Sequence, residues 1–337
     1  MFTLPSSRGY TILLVYVDDI IITGPHSDMI RQIQASLLDK FHMKDLGPLN
    51  YFLGLEVHQS KKGLFLHQHK YATDLVDLAD LGNSSPVDTP LEVNAKLHQQ
   101  DGDLLPDPTF YRRLVGSLVY LTITRPDLSY AVNLVSQFMT APRHHHLAAV
   151  KRIIRYILGT STRGLFFPVG TLLTLTTYSD ADWAGCPDTR RSTTGWCVYL
   201  GDALVSWKCK KQDRVSKSST ESEYRAMSSA CSEILWLRGL LSELGFSQTQ
   251  PTPLHADNTS AIRITENPVF HERTKHIEVD CHFIRDEYDR KIITLPHIST
   301  EFQLADIFTK GLPRPRHEFL VRKLLLVDSP HQFEEGC

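Results

Sequence analysis

The chain has 337 residues, 42% hydrophobic and 22% charged, with a formal net charge of −2. That composition describes an ordinary globular protein of about two domains and excludes a disordered or collagen-like chain. It also excludes a strongly basic field, so a nucleic-acid partner must be met by a local cluster of cations.

The N-terminus, MFTLPSSRGY, has no basic flank ahead of a long apolar run, so no secretory signal is expected. TILLVYV is too short to span a bilayer and meets Asp18 and Asp19 at once. ILLVYV and IIIT read as two strands of a hairpin with those two aspartates at its tip. Asp28 then opens a helix, with Ile30, Ile33, Leu37 and Phe41 at three- and four-residue spacing. LNYFLGLEV and GLFLHQ form a second hairpin around SKK. From about Lys70 a helix pattern runs to a stop at Gly82, followed by a loop with Pro86 and Pro90. Residues 98–108, HQQDGDLLPDP, read as a linker. Tyr111, Leu114, Leu118 and Leu121 mark one further helix, and another runs from LSYAVNLVSQFMT through HHHLAAVKRIIRYILG.

Beyond Gly159 the pattern becomes strand-rich. It reads as a strand over 172–182, strands at GWCVYLG and ALVSWKCK, and a long helix over about 220–244. A strand (PLHA), a helix (SAIRIT), a charged helix (IEVDCHFIRDEYD), a strand (IITLPHI) and a last helix (EFQLADIFTK) follow. Three consecutive strands and then alternating helices and strands predict a mixed sheet with helices on its faces. Six cysteines with no Cys-x-x-Cys pair read as reduced thiols of an intracellular protein, cytoplasm and nucleus not being distinguished.

Four carboxylates stand where a metal site recruits ligands. Asp180 closes the alternating run LLTLTTYSD, Asp257 follows PLHA, and Asp306 lies in the first turn of the last helix. Glu223 lines up at helical spacing with Met227, Ala230, Ile234, Leu237 and Leu241, an apolar stripe, whereas Glu221 lines up with Arg225, Ser228 and Ser232 on a wet face. Carboxylates gathered together repel, and cations are needed to keep them ionised. Mg²⁺, or Mn²⁺ in its place, suits an all-oxygen donor set, and two-metal phosphodiester hydrolysis uses such a set. Each position also has a plainer use. Glu223 and Asp306 suit a first-turn charge, Asp257 suits a helix cap, and Asp182 shares strand parity with Asp180. Lys208, Lys210, Lys211, Arg214 and Lys217 crowd one stretch against a single acid, Asp213, and suit the phosphates of a nucleic acid. Arg143, Lys151, Arg152 and Arg155 form a second such cluster. His271, His276, Cys281 and His282 match no standard zinc-finger spacing.

YSDADWAG, SKSSTESEYRAM, LHADN, HERTKHIEVDCHFIRD and LADIFTKGL, in that order over about 172–312, resemble the ribonuclease H domain of copia-type retrotransposon polyproteins. LLVYVDD, YFLGLEV and RPDLSYAV resemble the end of the reverse transcriptase of the same polyproteins and its tether. The resemblance implies a truncated reverse-transcriptase palm and thumb over 1–97, a linker and helical connection over 98–171, and a ribonuclease H-like mixed sheet over 172–312. Residues 313–337 are left as a tail. Matched by position, Asp180, Glu223, Asp257 and Asp306 would be the metal-binding catalytic acids, and His297 a loop histidine that helps product leave. The implied reaction is metal-assisted hydrolysis of the RNA strand of an RNA–DNA hybrid, with an intact reverse transcriptase as a further partner and no membrane. Asp18 and Asp19 resemble the paired metal-binding aspartates of the polymerase palm. The family's third palm aspartate and its fingers would precede Met1, so polymerisation by this chain alone is not expected.

Overall fold

The computed structural model describes residues 1–6, 9–266 and 278–328. The N-terminal part opens with an antiparallel sheet of β1 (Phe2–Ser6), β2 (Gly9–Tyr16) and β3 (Asp19–Thr23), in the order β1-β2-β3. Tyr16 pairs with Asp19 across the β2–β3 hairpin, so Val17 and Asp18 form its tip. Val17 takes a left-handed φ of 49° there. Helix α1 (Ser27–Lys40) follows as expected, although it buries none of its residues.

A second sheet is assembled from three distant stretches. Strands β4 (Tyr51–Phe52), β5 (Leu55–Ser60) and β6 (Gly63–His67) form the expected hairpin region. Two further strands, β7 (Gly164–Pro168) and β13 (Leu326–Val327), extend it in the order β13-β7-β6-β5-β4, antiparallel throughout. Residues 313–337, expected as a tail, therefore contribute structure: helix α9 (Arg314–Lys323) and β13 lie within the fold as far as the chain is described. The FLVRKLLLV pattern explains why, since Leu320, Val321, Leu324 and Leu326 are all buried in one apolar cluster.

Between these strands lies a helical layer of α2 (His69–Leu78), α3 (Thr109–Leu121), α4 (Ser129–Ser136) and α5 (His144–Leu158), which share one core. The single long helix expected through LSYAV and HHHLAAV is two helices, separated at 137–143, where Pro142 cannot continue a helix. Arg125 and Asp127, just before α4, form a fully buried ion pair at 2.8 Å. Tyr156 donates to Asp127 at 2.7 Å, so α5 is tied to the stretch before α4 through one carboxylate. The 98–108 stretch is fastened rather than loose. Arg143 donates to the Gln99 and Gly102 carbonyls, and Leu104 bridges to Arg143. This also corrects the reading of the second basic cluster, because Arg152 pairs with Glu92 and Arg155 donates to the Ser85 carbonyl. Those guanidiniums hold loops in place.

The third sheet has the order β10-β9-β8-β11-β12 and is the expected mixed one. Strands β8 (Leu175–Ala181), β9 (Thr193–Leu200) and β10 (Ala203–Lys211) are antiparallel; β11 (Thr252–His255) runs parallel to β8, and β12 (Ile293–Thr294) parallel to β11. Helices α6 (Ser219–Glu243), α7 (Thr259–Glu266) and α8 (Glu278–Asp289) accompany it, with α6 and α8 supplying one packed core. The opposite side carries residues 304–312, α9 and the edge of α4. With both faces covered, β9 is buried over nearly its whole length. The expected last helix over EFQLADIFTK is instead a pair of 3₁₀ turns, Thr300–Phe302 and Leu304–Phe308.

Candidate metal centre

Three of the four expected acids meet. Asp180 at the end of β8, Glu223 in the second turn of α6 and Asp257 just past β11 each offer a carboxylate oxygen, all within 4.8 Å of one another. Asp180 and Glu223 are buried, whereas Asp257 is half-buried. Glu223 Oε2 is buried without a hydrogen-bond partner, a costly state for a polar atom unless a cation completes it. Burial first, then the charges of Asp180 and Asp257, pushes the Glu223 carboxyl up to about 10. Burial likewise lifts Asp180 to about 6, with Lys310 opposing that rise and Asp306 adding to it. The donor set is all oxygen and acidic, as Mg²⁺ or Mn²⁺ requires.

The plainer uses of these positions fall to neighbours. Asn258 Oδ1, not Asp257, accepts the Ala261 N–H at the start of α7, at 3.0 Å. Asp182 accepts from the Thr193 N–H across the β8–β9 pair, which separates it from Asp180. Glu221 is not on a wet face. It is buried, accepts the Lys217 N–H at 2.7 Å and pairs with Arg225 at 2.7 Å, while its own N–H donates to the N-cap Ser218.

Asp306 lies beside this triad but outside it. Its 3₁₀ turn is tied to β8 by Gln303, whose Nε2 donates to the Ser179 carbonyl at 2.9 Å and whose Oε1 accepts the Ala305 N–H at 3.2 Å. Asp306 Oδ1 is 2.7 Å from Lys310 Nζ, and Oδ2 is 2.9 Å from Arg316 Nη2. Lys310 Nζ also lies 3.4 Å from Asp180 Oδ2, an oxygen that accepts the Thr309 hydroxyl as well. Gln303, Thr309, Lys310 and Arg316 were not singled out in the sequence. Lys310, four residues after Asp306, carried the only local signal of a partner.

His297 is exposed, but Ala256 pairs with it in a parallel bridge, so it stands next to Asp257. Lys208 and Lys210 are exposed on β10, and Arg214 and Lys217 are exposed in the loop that follows. Lys211 is differently engaged, with Nζ donating to Gln137 Oε1 at 2.9 Å and to Cys186 Sγ at 2.8 Å. Asp18 and Asp19 stay exposed at the hairpin, and among the described residues no third metal-ligating side chain joins them. His271 and His276 lie outside the described residues, and Cys281 is buried and in no disulfide. No helix among the described residues is long and apolar enough to cross a membrane.

Residues 1–93 match the family model described as reverse transcriptase (RNA-dependent DNA polymerase). The retrovirus-related Pol polyprotein from transposon RE2 of Arabidopsis thaliana is 44% identical over 98% of this chain and 23% of its own length. A putative transposon Ty5-1 protein of Saccharomyces cerevisiae is 34% identical over 68% of this chain and 75% of its own. Among solved structures, the foamy viral protease-reverse transcriptase dRH in complex with double-stranded DNA aligns over 86% of this chain and 46% of its own. That alignment has 13% identity and a TM-score of 0.51, a likeness of fold. The chain thus spans about a quarter of the length of its polyprotein relatives and belongs to the family of copia-type retrotransposon Pol polyproteins.

Proposed function

We propose that this chain hydrolyses the RNA strand of RNA–DNA hybrids with the help of divalent metal ions held by its acidic cluster. The observation that carries this reading is the convergence of Asp180, Glu223 and Asp257 around a buried, unpartnered Glu223 oxygen. Bound there, Mg²⁺ would keep the carboxylates ionised and polarise a phosphodiester. The protein's own groups prepare the place. Thr309 and Lys310 orient Asp180, Arg316 fixes Asp306, and Gln303 holds the turn that bears them against β8. Lys208, Lys210, Arg214 and Lys217 would track the hybrid's phosphates, and recognition would rest on duplex shape and 2′-hydroxyls rather than base sequence. His297, exposed beside Asp257, is suited to help product leave.

Incubation of the full chain with a labelled hybrid and Mg²⁺ should cut the RNA strand, and Asp257→Asn should reduce cutting to background while hybrid binding persists. A folded wild-type chain that leaves the hybrid whole, or an Asp257→Asn variant that cuts at the wild-type rate, would sink the reading.

One set of observations favours a second role. Phe2, Leu14, Val15, Tyr16 and Phe41 are exposed around β1–β3 and α1, and the paired aspartates lack a third ligand among the described residues. In this reading residues 1–97 are a palm-and-thumb piece of a longer RNA-directed DNA polymerase, and 98–171 connect it to the nuclease. Primer extension by a longer chain, absent from this one, is the outcome that separates the two roles.

A further inference from the structure

A cleft of about 680 Å³ opens beside the end of α9, between the second and third sheets, and none of the four acids lines it. Its floor is aromatic. Tyr178 of β8 and Tyr199 of β9 meet edge to face, with ring centroids 6.0 Å apart, and Tyr178 stacks on His255 of β11 at 4.8 Å. Its rim is cationic. Lys62 comes from the β5–β6 turn, and Arg322 and Lys323 from the last turn of α9. All three are exposed, and among the described residues none of them is in an ion pair. The one acid lining the cleft, among the described residues, is Asp202 in the β9–β10 turn. Glu318, one helical turn before Arg322, is already paired with Arg314 at 2.8 Å.

The walls are braced to one another. The Tyr199 hydroxyl donates to the Lys323 carbonyl at 3.3 Å, the Phe166 N–H to the Leu325 carbonyl at 3.2 Å and the Val169 N–H to the Lys62 carbonyl at 3.0 Å. These bonds gather distant stretches of chain around one space, so the cleft is part of the fold. Its volume falls in the range of about 300–1,000 Å³ typical of small-molecule sites. An aromatic floor suits a nucleobase, which stacks through its π-face whatever its identity. Lysine and arginine on the rim suit phosphate, which they bind through charge-assisted hydrogen bonds.

From this pairing of floor and rim we propose that the cleft binds one nucleotide unit, its base against Tyr178 and Tyr199 and its phosphate held by Lys62, Arg322 and Lys323. The shared chemistry is a base with a phosphate, carried by a free nucleoside phosphate or by an unpaired nucleotide of a single strand. The site is separate from the metal centre and goes beyond the nuclease reading.

The test is isothermal titration calorimetry on the full chain, in EDTA so that no metal bridges a phosphate to the acids. The probes are AMP, adenosine, inorganic phosphate and a single-stranded oligoadenylate RNA. AMP or the RNA should bind, with adenosine and inorganic phosphate each weaker by about tenfold or more, since each lacks half of the recognised chemistry. The double variant Lys62→Gln/Arg322→Gln should weaken that binding by about tenfold and, in Mg²⁺, cut the hybrid at the wild-type rate. Binding of AMP identifies a free nucleotide, and binding of the RNA alone identifies a strand; both support the site. Three results overturn it: neither nucleotide probe binds the folded wild type, inorganic phosphate binds as tightly as AMP, or the double variant leaves binding unchanged. Loss of cleavage in the folded variant also overturns it, because the cleft would then belong to the hybrid's own track. A chain that binds AMP in the cleft but leaves the hybrid whole sinks the nuclease reading and leaves this inference standing. If the variant does not fold, the comparison of probes on the wild type still decides.

Discussion

Gly195 sits opposite Asp180 in the β8–β9 ladder, and the turn carrying Asp306, Thr309 and Lys310 lies directly over it. A Cβ at position 195 would come within 2.6 Å of Thr309 Cγ2, 2.8 Å of Phe308 Cβ and 3.2 Å of the Ala305 carbonyl oxygen. Carbon atoms prefer to lie about 3.5–4.0 Å apart, so Gly195→Ala must push the turn back by roughly 1 Å. Overpacking of this kind costs about 1–3 kcal/mol. A shift of about 1 Å in a positioned catalytic group costs on the order of 10²-fold in rate. Urea unfolding of the metal-free chain should show the first effect and hybrid cleavage in Mg²⁺ the second. Gly239→Ala is the matched control, because a Cβ there meets nothing within 4 Å. In the interior of α6 that substitution should be neutral or stabilising by up to about 1 kcal/mol. If Gly195→Ala unfolds at the wild-type urea concentration and cleaves at the wild-type rate, the turn is not seated as described and the positioning argument is refuted.

Other outcomes follow from charge and burial. Glu223 is pushed up to about 10, so above the ordinary carboxylate range the unfolded chain loses this proton while the folded metal-free chain keeps it. Stability in EDTA should therefore fall between about pH 5 and pH 9 more steeply in the wild type than in Glu223→Gln. Equal slopes in urea unfolding would count against the buried, protonated acid. A chain ending at Leu312 loses Leu320, Val321, Leu324 and Leu326 from the core, each worth about 1.5–3 kcal/mol. That sum approaches the whole stability of a typical domain, so the shortened chain should show no cooperative thermal transition. A wild-type midpoint in circular dichroism would show that α9 and β13 are dispensable.

What could be read from the residues was what local periodicity encodes. Strands β8 to β10 and helix α6 were legible from apolar, β-branched runs and from the stripe through Met227 and Ile234, which singled out Glu223. Asp180 could not be separated from Asp182, because the deciding contact, Asp182 with the Thr193 backbone, is made across two strands. Glu221 was lined up with Arg225 on a wet face, whereas it is buried and paired with that arginine, because the loop ending at Lys217 folds back over it. The short strand β7 escaped notice because its partners lie about a hundred residues earlier and at the far end of the chain. Arg143, Arg152 and Arg155 looked like a phosphate-binding cluster, yet each meets a loop acceptor that sequence spacing does not reveal.

The pairing of β13 with β7 also sets a timetable for synthesis. Leu165 cannot meet Leu326 until the intervening residues have been made, a delay of roughly 10–30 s at ordinary translation speeds. Throughout that interval Phe166 waits for a cover made roughly 160 residues later, so the second sheet closes only after the strands of the third have been synthesised.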